Sequence, residues 1–174
     1  WRSRWDCRRL WSMSSPAMTP RPPSAAETFL CWPPPDFWRL LRLPVSQRWA
    51  IPEPMRQQLL EIMARMPRES TDPVYDPTDY YDGYARFFMI GDSKANKPEN
   101  LHLIGKSGEA YGFLTDVSFI TETGNELELL LAANIYVNAD GIFNDDVYEY
   151  ESLGYPFLAA LGRSVWQALN AESD

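Results

Sequence analysis

The chain has 174 residues, 45% apolar and 23% charged, which allows one domain with a real core and excludes a disordered chain. Nine Gly and 15 Pro interrupt it too often for a membrane protein, and a net charge of −8 argues against a nucleic-acid binder as a whole.

These averages hide a seam. Residues 1–50 hold eight of the 16 basic residues, all Arg, against three acids, Asp6, Glu27 and Asp36. They also hold six of seven Trp, eight of 15 Pro and both Cys, but no Gly, Ile, Tyr, Asn, Lys or His. The chain starts at Trp1 rather than Met, which reads as a fragment. Prolines 16, 20, 22 and 23 fall where the apolar run of a secretory signal should lie, so no signal peptide is read here. Pro33-Pro34-Pro35 suits a stiff polyproline spacer, and Phe37 to Leu43 two helical turns. Arg, Pro, Ser, Trp and Leu without Lys, Asn, Ile or Tyr is the vocabulary of GC-rich DNA translated in a wrong frame. Residues 1–48 are therefore read as a low-order, out-of-frame segment, which removes Cys7 and Cys31 from any redox argument, and residues 49–174 as the genuine domain.

From Ile51 the elements follow in order. Pro52 and Pro54 open a helix carrying Met55, Leu59, Ile62, Met63 and Met66 on one face, read as core packing, and Pro67 stops it. Asp72-Pro73 and Asp76-Pro77 are turns. A second helix is expected over Tyr80 to Ile90, with Tyr80, Tyr84, Phe87 and Phe88 as its aromatic face and Gly91 as its stop. Three strands are expected: Leu101 to Lys106, Asp116 to Thr121, and Glu126 to Val137, the last buried on both faces. Thr123-Gly124-Asn125 is the hairpin turn. A last helix from about Pro156 carries Phe157, Leu161, Val165 and Leu169, with Ala159, Ala160 and Gly162 lying close on the sheet. The fold class is α+β, an antiparallel three-stranded sheet packed by helices, with no transmembrane segment.

Several motifs fail on their chemistry. Gly105-Lys106-Ser107 ends like a phosphate loop, but Asn100 stands where the first Gly is needed and a strand follows instead of a helix. Glu109 occupies the last Gly of a nucleophile elbow. The stretch Asn138, Asp140, Asn144, Asp146, Glu149 spaces Glu149 twelfth, as a calcium loop requires, but Phe143 takes the Gly position. It reads as a solvated acidic loop. His102 is the only His, which leaves no His-rich zinc site. No metal and no cofactor are expected.

Lys106-Ser107-Gly108, followed by Tyr111-Gly112, resembles the Lys-Ser/Thr-Gly strand of the serine β-lactamase and penicillin-binding-protein superfamily. Tyr80-Tyr81-Asp82, Gly91-Asp92-Ser93, Ala110-Tyr111-Gly112-Phe113, Ile135-Tyr136-Val137-Asn138 and Asn144-Asp145-Asp146 extend the likeness to the C-terminal end of class A β-lactamase-related serine hydrolases.

The resemblance implies a partial β-lactamase/transpeptidase-like fold and acyl transfer to a Ser, then hydrolysis, of a β-lactam, peptide or ester. Carried over, Lys106 would supply positive potential and proton transfers, and the Ser107 hydroxyl would bond the substrate carboxylate. Gly108 would let substrate lie against the strand, and the Glu109 N–H would be an oxyanion-hole donor. An acidic side chain at 109 departs from the small residue common there. The chain contains neither Ser-x-x-Lys nor Ser-Asp-Asn, so it is expected to be inactive alone and to lack the N-terminal half of its own domain. By the same analogy the parent is periplasmic or secreted and acts on a small molecule or peptide, with no nucleic acid and no membrane span. The alternative is a small non-enzymatic binding domain using the acidic loop 138–151.

Overall fold

A computed structural model describes the strand Thr28–Cys31 and residues 51–171. Cys7, Pro33-Pro34-Pro35 and the turns expected over Phe37 to Leu43 lie outside the described residues. The elements are β1 (Thr28–Cys31), α1 (Glu53–Ala64), β2 (Leu101–Ala110), β3 (Phe113–Glu122), β4 (Glu128–Tyr136) and α2 (Tyr155–Ala171). They form a small α+β fold. β2, β3 and β4 make an antiparallel meander, and the sheet order is β1-β4-β3-β2. The sheet thus has a fourth short strand beyond the three expected, and that strand falls within the stretch 1–48. Among the described residues no helix is long and apolar enough to cross a membrane.

Strand alternation sets the layers. Leu103, Ile120 and Leu129 stand in register across β2, β3 and β4, as do Leu114 and Ile135 on the last two, all buried on one face. Phe87, Phe88 and α2 cover that face, α2 through Leu158, Ala159, Gly162 and Trp166. The expected stripe Phe157, Leu161, Val165 and Leu169 only flanks this buried centre, and Ala160 is exposed. A Cβ on Gly162 would stand 2.9 Å from the Met89 nitrogen and 3.1 Å from the Phe88 Cβ, so its close approach is to that segment. The opposite face carries Ile104, Phe119, Leu130 and Ala132, all half-buried, and Val117, exposed. β4 is accordingly half-covered on that side, not buried on both faces as expected.

Two helical expectations are corrected. α1 forms where Pro54 and the 3.6-residue spacing place it, but Met55, Leu59 and Ile62 are 55%, 47% and 54% exposed. The helix meets the sheet along β2 and turns Arg56, Leu60, Met63 and Ala64 inward, so the apolar stripe is not core. Met66 is buried, beyond the end of the helix.

The helix expected over Tyr80 to Ile90 is a 3-10 turn, Asp82–Ala85, followed by irregular chain. Buried carboxylates break it. Asp82 accepts from the Lys97 N–H at 2.7 Å and pairs with Arg68 at 3.2 Å. Asp116 accepts from the Phe87 and Phe88 N–H groups at 2.8 and 3.0 Å. The Asp116 bonds take the Phe87 and Phe88 N–H donors that a helix would spend internally, and propensity yields to them. Phe87 and Phe88 enter the core, while Tyr80 and Tyr84 stay outside and meet edge to face.

Candidate functional site

β2 is an edge strand, and it runs past Lys106-Ser107-Gly108 to Ala110. The motif therefore sits inside a strand, not at its end, with Lys106 opposite Val117, Ser107 opposite Asp116 and Gly108 opposite Thr115. The chain turns only at Tyr111-Gly112, where φ is 52° and 86°, values that suit the glycine.

The four expected site residues split by strand parity. Lys106 and Gly108 belong to the open face, and Ser107 and Glu109 to the face shared with α2. Lys106 is exposed, and its ammonium donates to the Ser107 carbonyl. The Ser107 hydroxyl donates to the Ala85 carbonyl at 2.8 Å. A Cβ on Gly108 would meet nothing within 4 Å. The Glu109 carboxylate accepts from the Tyr155 hydroxyl, the first residue of α2.

Behind the motif lies a polar cluster that sequence reasoning missed. Asp116 is fully buried and accepts from Ser118 Oγ at 2.6 Å besides the two Phe N–H groups. Burial pushes its carboxyl up, against the pull of Ser118, the Phe88 and Phe87 amides and Arg86. Arg86 is 6% exposed and donates to the Ala85 and Met63 carbonyls, while its Nε is buried without a partner among the described residues. Burial pulls the Arg86 guanidinium down, and Asp116 partly restores it. Ala85 thus accepts from both Ser107 and Arg86, which ties β2 to the end of α1. The signal was available: Leu114, Asp116, Ser118 and Ile120 share one parity, and two polar residues on a core face need internal partners.

Aromatic side chains surround the end of β2. Tyr155 packs on Phe87 with ring centroids 5.1 Å apart and on Tyr150 at 6.3 Å. The Tyr150 oxygen accepts from the Gly112 N–H at 2.7 Å. Tyr84 meets Tyr80 edge to face, with ring centroids 5.0 Å apart. At the other end of β2 an open concavity of about 640 Å³ lies between Glu61, Ala64 and Arg65 of α1 and His102 and Ile104 of the strand. His102 faces solvent and bonds Thr123 Oγ1 at 2.8 Å.

The acidic loop spends its oxygens on its own backbone. Asn138 Oδ1, Asp140, Asp145 and Glu149 accept from the N–H groups of Gly141, Ile142, Val147 and Ala139. Ile142, Phe143 and Val147 are exposed on it. Among the described residues no group of three or more His, Cys, Asp or Glu is placed to hold a metal ion. Comparison with protein-family models, with curated proteins and with solved structures finds no match for this chain.

Proposed function

We propose that residues 49–174 are the C-terminal part of a β-lactamase-like serine hydrolase, which forms and hydrolyses an acyl-enzyme on a nucleophile this chain does not carry. One observation carries the reading. Lys106-Ser107-Gly108 lies on the free edge of the sheet, with the missing Cβ of Gly108 opening into empty space. Nothing in the packing demands glycine at 108, and strand interiors disfavour it, so its presence is accounted for by a ligand lying against the strand.

The residue roles follow from the chemistry of each group. The Lys106 ammonium, exposed on the open face, supplies positive potential beside that strand. The Glu109 N–H is a backbone donor of the kind that stabilises an oxyanion. Ser107 would bond a substrate carboxylate only by exchanging its present acceptor, the Ala85 carbonyl. Acylation needs the absent Ser-x-x-Lys, so the chain alone is inactive. Its parent is periplasmic or secreted by analogy.

Two measurements test this. The DNA upstream of Ile51 should encode Ser-x-x-Lys in a frame continuous with it, and no such motif in any frame would remove the proposal. Purified chain should take no covalent label from a fluorescent penicillin, and labelling would overturn the claim of inactivity. The interaction-domain alternative rests on the exposed Ile142, Phe143 and Val147 of the acidic loop.

A further inference from the structure

We propose that the concavity between α1 and the start of β2 binds a zwitterionic small molecule, an aliphatic amino acid, through Glu61 and Arg65. The site uses none of the residues on which the hydrolase reading rests.

The concavity measures about 640 Å³, a size that takes a small ligand. Its apolar lining is Leu103, which is buried, with Ile104 and Ala64, which are half-buried. Four charged side chains stand around it, Glu61 and Glu69 against Arg65 and Lys97, so the charges balance. Two of the four already have partners. Glu69 accepts from the Met66 N–H at 2.8 Å, and the Lys97 ammonium donates to the Pro98 carbonyl at 2.9 Å and to the Leu101 carbonyl. His102 is occupied by Thr123 Oγ1. Glu61 and Arg65 remain. Among the described residues neither side chain forms an ion pair or a hydrogen bond.

The end of the helix explains why these two do not neutralise each other. Four residues apart within a helix, a Glu and an Arg readily close an ion pair. Here α1 ends at Ala64, and Arg65 is extended with φ −65° and ψ 136°, so it leaves the helical row on which Glu61 stands. Opposite charges thus line one concavity while each lacks a partner. A ligand that answers both carries an ammonium for Glu61 and a carboxylate for Arg65, whose planar fork matches a carboxylate. An anion without the ammonium meets Glu61 and Glu69 unpaired, and a cation without the carboxylate meets Arg65 and Lys97. The apolar lining takes an aliphatic side chain.

Saturation-transfer NMR titrations of the full chain with leucine, isocaproate and isoamylamine test this. The last two are leucine without its ammonium and leucine without its carboxylate. Leucine should bind roughly fivefold better than either, the upper range for one exposed charge pair. Glycine, which keeps both charges but has no side chain, should bind less well than leucine. Glu61→Gln should abolish the preference over isocaproate, and Arg65→Gln the preference over isoamylamine. Glu126→Gln, an exposed acid elsewhere, should leave both intact. Positions 61 and 65 are exposed, and thermal melts check that each variant folds. No transfer to leucine, equal affinities for the probes, or preferences that survive the matching substitution would overturn the site. None of these outcomes bears on the upstream motif or on penicillin labelling, so a failure here and a failure of the hydrolase reading are separately visible.

Discussion

Asp116 offers the sharpest test of how this fold is held. Its carboxylate is fully buried and satisfies three donors at 2.6, 2.8 and 3.0 Å. Asp116→Ala orphans all three and leaves Arg86 without a nearby negative charge. Each orphaned buried donor costs about 1–3 kcal/mol, and partial relaxation puts the total at roughly 3–5 kcal/mol. For a folded unit of this size the midpoint should fall by roughly 12–20 °C. Asp116→Asn separates hydrogen bonding from charge. Its carbonyl oxygen can take both Phe N–H groups and its amide can donate to Ser118 Oγ, so the loss should stay below about 1.5 kcal/mol. The sign of the pH dependence follows from burial, which raises the folded pKa of Asp116 above its unfolded value. Its contribution is then complete below the ordinary aspartate value and is lost as pH rises through the folded one. Relative to Asp116→Asn, the wild type should lose stability as pH climbs from about 4 toward neutrality. Urea melts of the three proteins across that range measure both effects. An alanine variant within about 1 kcal/mol of wild type, or an asparagine variant as damaged as the alanine one, would refute the network account.

Arg163 chelates Asp92 at 2.9 and 2.7 Å and donates to the Met89 carbonyl at 2.7 Å, while both charged side chains keep substantial exposure. Arg163→Gln should cost only about 0.5–1 kcal/mol after screening. The Arg163 hydrogen bond holds the Asp92 carboxyl below the usual range, so its contribution is present above the unfolded value and lost as pH falls through the folded one. Acid melts of wild type and Arg163→Gln should therefore converge on the acid side of the ordinary aspartate value. The exposed Met55, Leu59 and Ile62 stripe should drive self-association. Leu59→Glu with Ile62→Lys should shift sedimentation toward monomer at a stability cost below about 0.5 kcal/mol, and a wild-type chain already monomeric would count against this. Gly105→Ala places a Cβ 2.3 Å from the Val117 carbonyl oxygen and should cost roughly 1–3 kcal/mol. Gly108→Ala meets nothing and should raise stability by about 0.4–1 kcal/mol, read by thermal melts.

The sequence made the strands legible because one face is buried and the other is not. Leu103, Ile120, Leu129 and Ile135 show the period of two that half-burial demands. It made α1 and α2 legible through Pro54 and the spacing of four. It misled wherever a distant group overrides a local one. The run Tyr80 to Ile90 has a helical aromatic face, but Asp116, some thirty residues on, takes its amides. The stripe on α1 has the pattern of a core face, yet within the helix only its Met63 turns inward, with Leu60, while Met55, Leu59 and Ile62 stay exposed. Periodicity reports that a surface is apolar, not which neighbour covers it. Glu109 was legible as an unusual acid, but its partner Tyr155 lies 46 residues away and no local spacing announces it.

The glycines of β2 separate what the fold requires from what it does not. Gly105 is dictated by packing: its Cβ would strike the Val117 carbonyl and Ser118, so the sheet itself selects glycine there. Gly108, three residues on in the same strand, is under no such demand. A β-strand gains from nearly any side chain at an exposed position, both in packing and in unfolded-state entropy. A glycine that the fold does not need, on an edge strand, two residues after an exposed lysine and just before a tyrosine-held glutamate, is thus a cost without a structural return. The proposed function would recover that cost through a ligand lying against the strand. Val117 on the other sheet face and Met55, Leu59 and Ile62 on α1 are likewise exposed apolar side chains. On the proposed hydrolase reading, the remainder of the domain would cover them.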